Sequence, residues 1–433
     1  MRIKASLRCL LPALIAYGVF LLGAQIVHAQ QPADSDRATI SPSVVNLQPG
    51  GTQRFKIVMV ATRLMAADVP SEVRWAVNDI PGGNSEIGTI DANGVYRAPA
   101  RIPSPREVHI CAEVPQAANR FLWATVIVGE GRPTYRQHHM WSEPVIHGTR
   151  SSAHLTDPHG IALDREGNIL IADQMGSSVH RYTARGEYIG RLDKGTGNRP
   201  GQVIEPRIVA IDVDGNIFVS DSKGDRPRLQ VYSHEGEFLR IFAEKGMQPG
   251  MLLRAHGMGF DPMQRLYVVD VDNMRVSVYT REGQWLYDWG TEGLNPGEFN
   301  APHGLFVDKN ADVFVTGYYG PTQKFNSVGD YLLSFGHGDP PEGPVYFHNV
   351  AGDRWGNVYV MVRSRSGYQG ALSDEGARHI SIMKYNNNGD FITEWGFSTP
   401  EHTETTAVVG DDGLVYALFK GRTEMGVEVF VEE

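Results

Sequence analysis

Four histidines, His159, His256, His303 and His348, each stand five residues before an aspartate: Asp164, Asp261, Asp308 and Asp353. Arg207 takes the same place before Asp212, and Thr405 before Gly410. The steps along this column, 159→207→256→303→348→405, are 48, 49, 47, 45 and 57 residues. The 15 histidines of this 433-residue chain would place roughly 0.2 of a histidine in six chosen positions. Four are there, so composition does not account for the column. Neutral imidazoles that converge at about 2 Å on one point bind a transition metal, zinc above all. An open position on that metal would make it catalytic. The alternative is that a residue copied with its repeat bonds a neighbouring backbone and has no further role.

A period of this size marks a repeat architecture, and a β-propeller brings equivalent positions of its blades around one axis. Six repeats over 150–433 predict six blades. The column opens the innermost strand of each blade and so rings the mouth of the central channel. Blades one, three and five give threefold convergence, which nominates His159, His256 and His348 as metal ligands. His303 is then a fourth ligand, a group behind the ligands, or a substrate contact. Arg207 adds a cation at the same mouth and points to an anionic ligand such as a carboxylate.

Each repeat follows one plan. An apolar strand ends in Asp and a turn such as Val213-Asp214-Gly215-Asn216 follows. A second strand comes next (Ile169 to Asp173, Ile217 to Asp221, Leu266 to Asp270), then a third (Val179 to Tyr182, Leu229 to Tyr232, Val276 to Tyr279), and a glycine turn leads to a fourth. The pattern resembles NHL repeats along the whole of 150–433. The fifth repeat carries an insertion around Arg363 to Arg378. The sixth stops at Glu433 without a fourth strand, which Pro133 to Ile146 can supply, removing an open edge. Asp173, Asp221 and Asp270 form a second column expected to tie loops. The in-phase aromatics Tyr182, Tyr232, Tyr279, Trp289 and Trp395 are expected in the core.

Pro158-His159-Gly160, Ala255-His256-Gly257 and Phe347-His348-Asn349 resemble the zinc-binding segments of the peptidyl-α-hydroxyglycine α-amidating lyases, a family of six-bladed propellers with three histidines from alternate blades. Arg136-Gln137-His138-His139-Met140-Trp141 resembles that family's Arg-x-x-His-x-Trp segment. The resemblance implies Arg136 as a catalytic arginine and cleavage of a carbinolamide C–N bond to an amide and glyoxylate. It implies zinc on the substrate hydroxyl, a base for its proton and an arginine on the carboxylate. The family's catalytic tyrosine has no counterpart: Ser220-Asp221-Ser222-Lys223-Gly224 puts Lys223 in its place. Tyr318 and Tyr319, in the equivalent loop of blade four, are the substitutes. A calcium propeller of lactonase type is the lesser alternative, since calcium asks for carboxylates and this column is imidazole-rich. A non-catalytic propeller docking a protein, peptide or glycan on its channel face is the alternative to an enzyme.

The rest of the chain sets the context. Arg2, Lys4 and Arg8 precede the apolar run Leu10 to Ile26 and the small-x-small site Val27-His28-Ala29. Residues 1–29 therefore read as a secretory signal, making the mature chain secreted or periplasmic with no stable membrane insertion. Residues 30–37 read as a flexible linker. Residues 38–129 read as a β-sandwich whose Trp75-Ala76-Val77-Asn78, Gly88-Thr89-Ile90 and Gly94-Val95-Tyr96-Arg97-Ala98-Pro99 resemble bacterial Ig-like domains, and 130–433 as the propeller. The formal charge is −10, and without a Lys/Arg-rich run nucleic acid is excluded as a partner. Expected partners are a small carboxylate-bearing or peptide ligand, or a protein. Of the two cysteines, Cys9 leaves with the signal and Cys111 sits in an apolar strand, so no internal disulfide forms.

Overall fold

The computed structural model describes residues 37–59, 72–145, 154–221, 227–318, 320–336, 345–364, 379–397 and 405–433. The signal reading, nearly all of the linker, Lys223 and Tyr319 lie outside them. Every regular element among the described residues is a β-strand.

The N-terminal strands form a five-stranded sheet, a four-stranded sheet and a two-stranded pair. They share one core, in which Phe55, Val77, Tyr96, Val108, Ile110, Ala124 and Val126 are almost wholly buried. Alternation explains the two-stranded pair: Ala38 and Ile40 point in while Thr39 and Ser41 point out. Glu107–Glu113 and Phe121–Val128 are buried almost throughout, the second as a nearly continuous apolar run and the first with Glu107 and His109 among its buried residues. Cys111 lies in the first of these, and burial pushes its thiol up to about 12, which makes it inert.

From residue 158 onward the chain builds antiparallel four-stranded meanders: Pro158 to Arg191, Pro206 to Phe242, Ala255 to Trp289, Pro302 to Phe335 and Val345 to Gly396. A further sheet combines Thr405–Val409, Val415–Lys420 and Glu424–Glu432 with Tyr135–Pro144, which pairs antiparallel to Glu424–Glu432. The early strand thus closes the sheet that the C-terminus leaves short. The first strand of each sheet touches that of the next, and Pro158–Leu163 touches Thr405–Val409. This is the arrangement of a β-propeller, with side chains of neighbouring blades filling shared cores. Trp289, Phe299 and Phe325 bridge one such pair, and Tyr182 packs with Ile171 and Val427 in another.

Two local features place the histidine column. Ladder register shifts between Pro158 and Gly160, Ala255 and Gly257, Pro302 and Leu305, and Phe347 and Asn349. Each histidine therefore sits at a bulge, which re-aims its side chain. The glycine that follows His159, His256 and His303 serves close approach. A Cβ on Gly160 would stand 2.4 Å from the Arg207 carbonyl oxygen, and one on Gly257 would stand 2.8 Å from the Leu305 nitrogen. Only glycine lets neighbouring inner strands come this near. Gly257→Ala is expected to cost about 1–3 kcal/mol, read as a lower thermal midpoint.

The sandwich docks on the turn ends of two blades, at the far end of their inner strands from the histidines. Asn310 bonds both backbone groups of Phe121, His109 stacks on Trp355 at 5.0 Å, and Arg37 pairs with Asp312 at 2.5 Å. Beneath these, the buried Lys384 Nζ lies 2.7 Å from Oε2 of the buried Glu107 and 3.0 Å from the hydroxyl of the half-buried Tyr135.

Candidate functional site at the channel mouth

The loop before each inner strand is held by the second aspartate column. Asp173 accepts from the backbone nitrogens of Thr156 and Asp157 at 2.8 and 2.6 Å. Asp270 accepts from Leu253 and Arg254, and Asp221 from Ile204 and Glu205. These buried carboxylates fix the backbone two residues ahead of His159, His256 and Arg207. Their role is positioning.

Ring nitrogens of His159, His256 and His303 lie within 4.8 Å of one another. The rings of His256 and His303 are closest, with centroids 4.3 Å apart and Nδ1 of the first 2.7 Å from Nε2 of the second. Alternate-blade symmetry nominated His348 in place of His303. The donors that gather instead come from blades one, three and four, because adjacent inner strands run so close. His348 stands beside this group, its centroid 4.5 Å from that of His303 and 6.3 Å from that of His159. Its Nε2 is 3.3 Å from the Tyr318 hydroxyl.

Arg207 Nη1 lies 3.1 Å from His256 Nε2. A guanidinium can only donate, so Nε2 of His256 carries the lone pair and Nδ1 the proton. Nδ1–H then donates to Nε2 of His303, leaving the His303 proton on Nδ1. One fixed charge thus sets two tautomers. Both imidazoles are buried, 5 % and 2 % exposed. Burial, then the charge of neighbouring rings and, for His256, of the Arg207 and Arg254 guanidinium groups, holds both well below the usual histidine range. They are neutral at pH 7, as ligation requires. The unfolded chain binds protons at these histidines below about pH 6.5 while the folded chain does not, so stability is full above that pH and falls as pH drops. We expect each histidine to cost about 1.4 kcal/mol per pH unit below 6.5 until it titrates. A His256→Gln/His303→Gln variant should lose most of this acid slope in thermal midpoints measured from pH 7 to 5.

Above the rings lies a cavity of about 340 Å³ lined by Asp157, His159, Gln174, Arg207, Arg254, His256, Val271, Ala301, Tyr318 and Lys420. Arg207, His256 and Tyr318 are thus brought to one place. Asp157 binds Lys420, and Arg254 pairs with Asp272 at 2.5 Å. Arg207 contacts no carboxylate among the described residues, and its Nε is buried without a hydrogen bond. Burial, then the Arg254 charge, lowers its pKa. A guanidinium without a carboxylate partner, set in a cavity, attracts anions.

Arg136 is not part of this site. It lies on Tyr135–Pro144, the outermost strand of its sheet, is 56% exposed and pairs with Glu433 at 3.3 Å. Three strand spacings of about 4.8 Å separate that strand from the inner one. The neighbouring His138 and His139 bond each other through Nδ1 at 2.7 Å, also away from the channel. Sequence reading missed Asp157 and Arg254. Both stand two residues before a column histidine, and alternation puts residues two apart on one face, so a parallel column at that offset was the available signal.

The chain matches no protein-family model and no curated protein. Among solved structures, a Bacteroides thetaiotaomicron protein of unknown function shares 11% identity over 91% of this chain and 97% of its own, with a TM-score of 0.51. Virginiamycin B lyase from Staphylococcus aureus shares 10% over 69% of this chain and 99% of its own, with a TM-score of 0.45. The PQQ-bound aldose sugar dehydrogenase of Streptomyces coelicolor shares 12% over 70% and 99%, with a TM-score of 0.46. The likeness is one of fold, a β-propeller, and singles out neither NHL repeats nor the amidating lyases.

Proposed function

We propose that this chain is a secreted or periplasmic enzyme, an Ig-like module joined to a six-bladed NHL-type propeller, that cleaves a small carboxylate-bearing substrate with the help of zinc. The carrying observation is the gathering of three imidazoles beneath a cavity that presents an arginine with no carboxylate partner among the described residues. Imidazole donors fit zinc. They do not fit calcium, because the carboxylate in this cavity, Asp157, is engaged by Lys420. The donor nitrogens, within 4.8 Å of one another, would converge on one point on binding, and His256 and His303 would give up their mutual hydrogen bond.

Zinc on His159, His256 and His303 would supply a Lewis acid for a substrate hydroxyl or carbonyl. Arg207 would hold the substrate carboxylate, the task that the family resemblance had given to Arg136. Tyr318 stands in the cavity with His348 behind its hydroxyl, and the pair can accept a hydroxyl proton and return one to a leaving nitrogen. The reaction this set serves best is lyase cleavage of a carbinolamide, releasing an amide and glyoxylate.

The test is glyoxylate release from an N-acyl-α-hydroxyglycine by zinc-loaded protein. Turnover that falls at least about a hundredfold in Tyr318→Phe supports the reading. No release by wild-type protein carrying a full equivalent of zinc overturns it. A second reading, a non-catalytic binding propeller, draws on the Arg207–His256–His303 chain, which pairs those groups without any metal.

A further inference from the structure

The hydrogen-bond chain at the channel mouth has a consequence for how two ligands share the site. Arg207 Nη1 donates to Nε2 of His256, and this histidine's other nitrogen faces His303. A neutral imidazole offers one lone pair. If a metal takes it at Nε2, Arg207 is displaced. If a metal takes it at Nδ1, the ring proton must sit on Nε2, and an N–H cannot accept from a guanidinium. By either route His256 cannot serve a metal and Arg207 together. A freed Arg207 is a partly buried cation whose Nε already lacks a partner and which faces Arg254 across the cavity. It then needs an anion, since an uncompensated buried charge is costly.

We propose that Arg207 makes metal binding and carboxylate binding mutually dependent: each ligand releases one side of the Arg207–His256 contact for the other. This rests on the zinc reading above and adds to it a rule of coupling. Linkage is reciprocal, so a carboxylate must tighten zinc by the same factor as zinc tightens the carboxylate. A factor on the order of tenfold lies within the usual range of such couplings.

The test is calorimetric titration of the full mature chain with zinc, without and with saturating propionate, a monocarboxylate that chelates zinc poorly. The same titrations are run on Arg207→Gln and, with propionate as titrant, on the zinc-loaded and zinc-free wild type. We expect roughly tenfold tighter zinc in propionate for the wild type, the same factor for propionate in zinc, and no factor in Arg207→Gln, which binds zinc more tightly than the wild type in buffer alone. Equal zinc affinity with and without propionate overturns the coupling and leaves the zinc reading intact. Coupling that persists in Arg207→Gln overturns it too, since the carboxylate is then bound by the metal itself. Absence of zinc binding in both proteins overturns the zinc reading and the coupling with it. If the variant fails to fold, equal wild-type affinities with and without propionate still overturn the coupling.

Discussion

Replacing His256 by alanine should weaken zinc binding by more than about a hundredfold, because even groups that merely orient a ligand are worth 10–100-fold. His256 is at the centre of the cluster: it touches His303 at 2.7 Å, Arg207 at 3.1 Å, and its ring centroid is 5.5 Å from that of His159. The same change strands Arg207 without an acceptor and removes a buried ring, so stability should fall as well. The two effects separate in one series. Competition titration with a chromophoric chelator reads affinity, and thermal unfolding with and without zinc reads coupling to the fold. In the wild type a hundredfold excess of zinc over its dissociation constant adds about 2.7 kcal/mol. His256→Ala should show almost none of that increment. His348→Ala, which leaves the closest three donors in place, should keep most of it. Equal loss in both variants would restore the alternate-blade set.

The largest effect on folding is expected at the other end of the molecule. Lys384 is buried with Glu107, the Tyr135 hydroxyl and, at 3.9 Å, Glu432. Burial raises the Glu107 carboxyl to about 7, and the Lys384 ammonium works against that shift. Burial likewise works against the Lys384 charge, but Glu107, Tyr135 and Glu432 outweigh it and hold the ammonium protonated. Lys384→Met leaves carboxylates buried with no cation, which costs about 3–5 kcal/mol, or roughly 3–6 °C in the midpoint of a chain this long. Without the ammonium the Glu107 carboxyl rises further, so the loss should be largest at alkaline pH and shrink as pH falls toward 7, where the stranded carboxyl takes up a proton and sheds its charge. A loss independent of pH would assign the effect to packing alone.

Much of this was legible in the residues. The second strands Ile169–Asp173, Ile217–Asp221 and Leu266–Asp270 stand where the repeat plan put them, because Asp-Gly and Gly-Asn turns punctuate alternating apolar runs. The supply of a closing strand by residues near 133–146 followed from the missing fourth strand of the last repeat. The column positions were readable too, since a period near 48 residues leaves little choice of register. What the period could not give was distance. Alternate-blade symmetry nominated His348, but the close strand approach at Gly257, where a Cβ would meet the His303 carbonyl and Leu305, draws His256 and His303 into contact. Arg136 was misplaced for a related reason: its motif lies on the strand that closes the ring, and strand order within a sheet decides whether a residue sees the channel. Nor could a column of single residues show Arg254 or Asp157, which enter the cavity only through the pleat.

The central claim is that His159, His256 and His303 hold a zinc ion at the channel mouth. The most direct measurement is anomalous diffraction at the zinc edge from crystals of the zinc-loaded chain. We predict one strong peak bonded to those three histidines at about 2.0–2.1 Å, with Arg207 swung away from His256. A peak on His138 and His139 alone, or none at the channel mouth, would contradict it.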